Sequence, residues 1–128
     1  MKVNKLDHLV ITAKNLDRTI AFYTRVLGME LVTFADGRKA LQFGAQKINL
    51  HEAEKEFEPH ALHPLPGSAD LCFITETPMP LIISHLDSCE IPVIAGPLEK
   101  TGANGPLLSI YIHDPDGSLI EIANQVNG

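Results

Sequence analysis

The sequence lacks a long apolar run, a clear metal motif of cysteines and a secretory leader, and each absence excludes a class of protein. No apolar stretch approaches the roughly 20 residues that a membrane-spanning helix needs. The N-terminus leads directly into a strand-like segment, not into a signal peptide. The two cysteines, Cys72 and Cys89, lie among apolar neighbours at a spacing that matches no metal motif. We therefore expect two buried free thiols in a cytoplasmic protein.

Clusters of basic residues are also missing. Ten Lys and Arg stand against 16 Asp and Glu, which gives a net charge of −6. We therefore expect neither nucleic acid nor an anionic membrane as a partner. The length of 128 residues and the 45% hydrophobic content suit one globular domain spanning residues 1–128.

The clearest local signal is a hairpin near the C-terminus, between Tyr111 and Ala123. Two apolar runs flank Asp-Pro-Asp-Gly, a turn sequence whose glycine, Gly117, tolerates positive φ. Glu121 lies in the second run between two isoleucines, so its side chain points to the opposite face of the strand. On a solvent face this carboxylate would be ordinary. On an interior face it would need a partner or a metal, because burying an unpaired carboxylate is costly.

The order of predicted elements repeats along the chain. The hydrophobic pattern predicts strand, helix and three strands in residues 7–53, and the same order in residues 70–125, with a linker rich in proline and charge at 54–69. The first helix is capped by Asn15 or Asp17 and closed by Gly28; the second is capped by Thr77. Residues 91–95 are predicted as a strand and 96–106 as a loop. The predicted fold class is α+β, with two βαβββ modules.

Aligning the two modules places polar residues at equivalent positions. His8 corresponds to Asp70, and Asn49 corresponds to Glu121, with His51 on the same face as Asn49. Histidine and carboxylate on one sheet suit a divalent metal, and two His with one carboxylate leave positions open for substrate. His8, His51 and Glu121 could form this set, and Asp70 is an alternative member.

The chain resembles the vicinal oxygen chelate superfamily, which includes glyoxalase I, fosfomycin-resistance proteins, bleomycin-binding proteins and extradiol dioxygenases. The resemblance covers nearly all residues, and its most specific parts are Asp7-His8-Leu9-Val10-Ile11, Phe22-Tyr23 to Leu27-Gly28-Met29, and His113-Asp114-Pro115-Asp116-Gly117 through Glu121. It implies paired βαβββ modules that form a cupped mixed sheet, with helices outside, around one divalent metal ion such as Fe, Mn, Ni or Zn.

The resemblance also assigns roles to individual residues. His8 and Glu121 match metal ligands of the family, whereas Asp70 stands where many members have a second histidine. Asn49 stands where glyoxalase I-like members have Glu or Gln. Tyr111 matches the extradiol dioxygenase signature and joins Glu121 as a candidate catalytic residue.

Two functions remain open at this point. The first is a metal-dependent enzyme on a small-molecule substrate, either dioxygenase-like or a glyoxalase-like lyase. Asn104 disfavours ring cleavage, because it replaces the upstream histidine of the dioxygenase signature. The second is a non-catalytic protein that binds or sequesters a small molecule. The resemblance implies a homodimer for either function.

Overall fold

A computed structural model describes residues 1–126 of the chain. These residues form two compact units that meet at Ser68 and Ala69, a boundary within the predicted linker. None of the helices in the described residues is long and apolar enough to cross a membrane.

The first unit is a four-stranded mixed sheet with one helix. Its elements are β1 (His8–Ala13), α1 (Leu16–Arg25), β2 (Glu30–Phe34), β3 (Arg38–Phe43) and β4 (Gln46–Glu52). The strand order is β1-β4-β3-β2, in which β1 and β4 run parallel and the other pairs run antiparallel. The first strand of the unit therefore pairs with its last, and α1 packs against β2, β3 and β4.

The second unit repeats this topology. Its elements are β5 (Asp70–Ile74), α2 (Met79–Ser88), β6 (Ala95–Gly102), β7 (Gly105–His113) and β8 (Leu119–Gln125). The order β5-β8-β7-β6 again pairs the first strand with the last in parallel. The predicted fold class, two βαβββ modules with mixed sheets, is confirmed.

The first helix begins as the sequence predicted. The side chain of Asn15 accepts a hydrogen bond from the backbone N–H of Arg18 at 2.9 Å, which satisfies one free donor of the first turn. Tyr23 is fully buried, and Thr19 and Phe22 lie beside it in the core. The core of the chain is aliphatic, and its fully buried large side chains in the strands are Leu41, Ile48, Ile110, Ile112 and Ile120.

Two predicted boundaries in the second unit are wrong. Thr77 does not cap α2, because Pro78 occupies that position and forms no side-chain cap. Pro80 lies in the first helical turn, where proline is tolerated. Residues 91–94 are not a strand, and the predicted loop at 96–106 contains most of β6. Pro97 is tolerated there because β6 is an edge strand with an irregular register between Ala95 and Leu98.

The closing hairpin has the predicted turn. The Asp114 carboxylate accepts hydrogen bonds from the backbone N–H groups of Asp116 and Ser118, at 2.9 and 3.0 Å. Gly117 adopts a φ of 91° and donates its N–H to the Asp114 carbonyl. This turn fixes the register of β7 against β8, and with it the position of Glu121.

Candidate functional site

Glu121 lies in the middle of a row of polar side chains that crosses the sheet of the second unit. Its direct partner on β5 is Cys72 and its direct partner on β7 is Tyr111. Residues that face each other across a ladder share one side of the sheet, so the thiol, the carboxylate and the phenol project together.

The side chains of this row act on one another electrostatically. The Glu121 carboxylate lies close enough to the Cys72 thiol and the Tyr111 phenol for its charge to affect the pKa of both. Burial, followed by the charge of Glu121, raises the pKa of Cys72 to about 11. Burial and the same carboxylate also raise the pKa of Tyr111, with smaller contributions from Cys72 and Asp70. Thiol and phenol are therefore held in their protonated forms near neutral pH, where both act as donors.

A groove of about 430 Å³ opens beside this row, between the polar row and the β6–β7 hairpin. Glu121 and Cys72 line its floor, and Lys100 and Asn104 lie on the hairpin side. The Lys100 ammonium is 5.7 Å from the centre of the Tyr111 ring, within the range of a cation–π contact. The groove thus offers a small ligand one carboxylate, one ammonium and neutral donors.

The equivalent row of the first unit has different chemistry. Asn49 stands in the place of Glu121, and its direct partners are Val10 on β1 and Ala40 on β3. Neither partner has a side-chain donor, and the buried Oδ1 of Asn49 has no hydrogen-bond partner among residues 1–126. The register of the two ladders agrees with the predicted alignment of Asn49 with Glu121.

The two predicted histidine ligands lie at opposite ends of one ladder. His8 faces Lys47, whereas His51 faces Thr12 four residues further along β1, a separation of about 13 Å. His8 is exposed, and its Nδ1 is 2.8 Å from an oxygen of Asp7, a contact that lowers the pKa of this carboxyl. His8 and His51 therefore do not share a ligand shell within this unit.

Asp70 begins β5, diagonally across the ladder from Glu121, because it faces Leu119 while Glu121 faces Cys72. Two carboxylates near one groove fit the oxygen donors that hard divalent cations prefer. Two carboxylates alone do not complete the ligand shell of such a cation. Residues 1–126 hold no group of three or more His, Cys, Asp or Glu side chains arranged for a metal.

Cys72 is the residue of this site that the sequence missed. The expectation of two buried thiols is wrong, because Cys72 is exposed and Cys89 is half-buried, although both are free. Cys72 alternates with Leu71 and Phe73, and this alternation was the available signal for a side chain on the Asp70 face.

Comparisons with known proteins agree with the fold and with the resemblance. Residues 5–122 match the sequence model of the Glyoxalase/Bleomycin resistance protein/Dioxygenase superfamily. Virulence protein STM3117 of Salmonella typhimurium is 56% identical over 126 residues, 98% of this chain and 88% of that protein. Its crystal structure superposes with a TM-score of 0.96, covering 98% of this chain and 100% of that one.

Two further relatives are similar over most of the chain. Glyoxalase domain-containing protein RDO1 of Mycosarcoma maydis is 56% identical over 124 residues, 97% of this chain and 70% of that protein. An integron cassette protein from the mobile metagenome of V. cholerae is 48% identical, with a TM-score of 0.96 over 98% of each chain.

Proposed function

This chain belongs to the Glyoxalase/Bleomycin resistance protein/Dioxygenase superfamily, and from that premise we propose that it is a divalent-metal-dependent enzyme acting on a small molecule. The reaction proposed is of the vicinal oxygen chelate type, either dioxygenase-like or a glyoxalase-like lyase. The observation that carries the proposal is the position of Glu121, whose carboxylate projects between Cys72 and Tyr111 on one face of the sheet and lines a groove.

The proposed metal ligands are those that the family resemblance implies, His8 and Glu121, with Asp70 as a further ligand. Carboxylate and imidazole are common ligands of Mn, Fe, Ni and Zn ions. A divalent ion would supply Lewis acidity, polarising adjacent oxygens of a bound substrate.

Tyr111 is proposed as a positioning residue. It is the direct partner of Glu121 across the ladder and shares its face of the sheet, so its ring can restrict the positions open to that carboxylate. Because its pKa is raised, the phenol holds its proton near neutral pH and acts as a donor, not as a base.

Metal content tests the proposal directly. The full chain, purified without chelators, is expected to hold a divalent metal near one equivalent by mass spectrometry of the elements. Glu121→Gln keeps the shape of the side chain but removes its charge, and is expected to lose most of this metal. Glu99→Gln, an exposed carboxylate on β6, is the matched control and is expected to keep it. Equal metal in the Glu121 variant and the wild type would reject Glu121 as a ligand.

The second candidate is a non-catalytic protein that binds a small molecule in the same groove. The observation that favours it is the donor shortage: Asn49 replaces a carboxylate, and the described residues supply no three-ligand cluster. This candidate predicts saturable binding of a small organic molecule by metal-free protein. Metal-free wild type that binds no such molecule, beside a metal-loaded form that does, would exclude it.

A homodimer is proposed for either function, as the family resemblance implies. Apolar side chains in the second unit support it, since Ile74 and Leu81 are 54% and 60% exposed within one chain. Light scattering at micromolar concentration is expected to give twice the 14.0 kDa mass of the chain. A monomer mass would reject the proposal.

A further inference from the structure

The first unit holds a second group of chemistry-bearing side chains, away from the row of Asn49. Arg38, at the start of β3, lies with its guanidinium carbon 4.0 Å from the centre of the Phe57 ring. The same ring meets His51 of β4 edge to face, with ring centres 5.6 Å apart. Phe57 therefore holds a guanidinium and an imidazole beside each other at the end of the sheet.

The guanidinium of Arg38 has no polar partner. Its side chain forms neither an ion pair nor a hydrogen bond with any residue in the described range 1–126. Stacking on an aromatic face restrains a guanidinium and leaves its N–H groups, which lie in the plane of the guanidinium, free to donate. Those donors form a planar fork that matches a carboxylate or a phosphate.

His51 is 9% exposed, and its ring likewise has no hydrogen bond to the residues that the structure describes. Burial, followed by the positive charge of Arg38, lowers its pKa. The charge of Glu56 acts in the opposite direction and is outweighed, while His60 adds to the lowering. The charge of Glu56 therefore opposes that of Arg38 at His51 only in part.

Glu56 does not fill this position. One of its carboxylate oxygens, Oε2, is buried without a hydrogen-bond partner, and no ion pair joins it to Arg38. Because Glu56 forms no ion pair with Arg38, the guanidinium fork is available to an external anion.

We propose that Arg38 and His51 form a binding site for an oxyanion group, carboxylate or phosphate, of a small ligand. Arg38 supplies the charge-assisted pair of hydrogen bonds, and the neutral imidazole of His51 supplies a further N–H. The site lies in the first unit and needs no metal ion, so it stands apart from the function proposed for the groove of the second unit.

Calorimetric titration of the full chain, treated with chelator, tests this site with inorganic phosphate and with acetate. Each titration is run at constant ionic strength against sodium chloride, so that general screening is subtracted. Saturable binding of at least one anion is expected for the wild type. A preference for phosphate or for acetate identifies which oxyanion the site takes, and binding of neither overturns the proposal.

Arg38→Gln is expected to lower the affinity for the anion about tenfold or more, because it removes a charge-assisted pair of hydrogen bonds. Lys39→Gln is the matched control: it removes the same charge from the next residue, whose ammonium donates to Thr33 at 2.9 Å, and should leave binding unchanged. Equal weakening in both variants would mean a general charge effect and would overturn the site.

The midpoint of unfolding shows whether Arg38→Gln is folded. If it is not, two more variants test the site. Arg38→Lys keeps the charge but loses the fork and is expected to weaken binding by an intermediate factor of about threefold to fivefold. His51→Gln is expected to weaken it by about threefold. Unchanged affinity in both variants would overturn the proposal.

Discussion

The two units of this protein share one topology, but the central residue of the last strand is a carboxylate in one unit and an amide in the other. In the second unit the central residue of the last strand, Glu121, lies between two cross-strand neighbours that carry polar hydrogens, Cys72 and Tyr111. In the first unit the equivalent residue, Asn49, lies between Val10 and Ala40 and leaves its oxygen unpartnered. The ladder fixes where the central side chain projects, and its neighbours decide whether a charge is stable there.

The edge strands β2 and β6 also differ between the two units. A substitution in β6 is expected to have the largest effect on the free energy of unfolding. Gly96 follows Ala95, which faces Tyr111; a Cβ at this glycine would come within 2.5 Å of the Ser109 carbonyl oxygen, and its φ is +101°. The equivalent position of β2 is Thr33, which carries a branched side chain. We expect Gly96→Ala to lower the free energy of unfolding by about 3 kcal/mol, measured by urea denaturation.

The control for Gly96 is Gly37, in the β2–β3 turn of the first unit. Its φ is +81°, but a Cβ there would meet no atom within 4 Å. Gly37→Ala is expected to cost about 1 kcal/mol, from backbone strain alone. Equal losses in the two variants would mean that the close contact at Ser109 relaxes freely.

The next effect concerns Cys72, which occupies the place of Val10. Burial and Glu121 raise its pKa from the ordinary 9.0 to about 11, so near neutral pH its thiolate is about a hundredfold scarcer. In a Cys89→Ser background without metal, we expect iodoacetamide to modify Cys72 about tenfold more slowly than a thiol of ordinary pKa, measured by intact-protein mass spectrometry. The factor is smaller than the scarcity of thiolate because a more basic thiolate is a stronger nucleophile.

Glu121→Gln sharpens this test, because the carboxylate is the second cause of the raised pKa after burial. Removing its charge is expected to lower the pKa of Cys72 and to accelerate alkylation severalfold. An unchanged rate would show that burial alone suppresses the thiolate.

The last of these tests makes the first unit resemble the second. Asn49→Asp would place a carboxylate between Val10 and Ala40, where neither neighbour donates. We expect a loss of about 2 kcal/mol at pH 7, measured by denaturation. The pKa of the new carboxyl would be raised in the folded state, so the loss should be small near pH 4 and should grow as the pH rises.

Asn49→Leu is the control for this substitution. It removes the unpartnered oxygen without adding a charge, and its stability is expected to stay within about 1 kcal/mol of the wild type at every pH. A pH-dependent loss in the leucine variant would place its cause outside residue 49.

Much of the fold could be predicted from the sequence, because most of its strands are apolar runs ended by strong turn residues. The β7–β8 turn at Asp114 is an example, since Asp, Pro and Gly each favour a tight turn for a separate reason. Strand β6 escaped prediction because Pro97 and Gly102 are breakers in most strands, and only pairing with β7 along a sheet edge makes them acceptable.

The candidate site could be predicted in part. Alternation along β8 placed Glu121 opposite its isoleucine neighbours, and the hairpin turn placed Tyr111 on the adjacent strand. The partnership of Glu121 with Cys72 could not be predicted, since it depends on the parallel register of β5 against β8, which no local pattern encodes. The stacking of Arg38 on Phe57 could not be predicted either, for a different reason: Phe57 belongs to a segment without periodicity.

The pairing of first strand with last in each unit also governs how the chain folds. His8 must find Lys47 across 47 − 8 = 39 residues, and Asp70 must find Leu119 across 119 − 70 = 49 residues. Such closures are slow, because a long loop loses its entropy before any contact compensates for it. Each unit is therefore complete only when its final strand arrives, whereas a cut in the linker at 54–69 would leave every strand of both units with its neighbours.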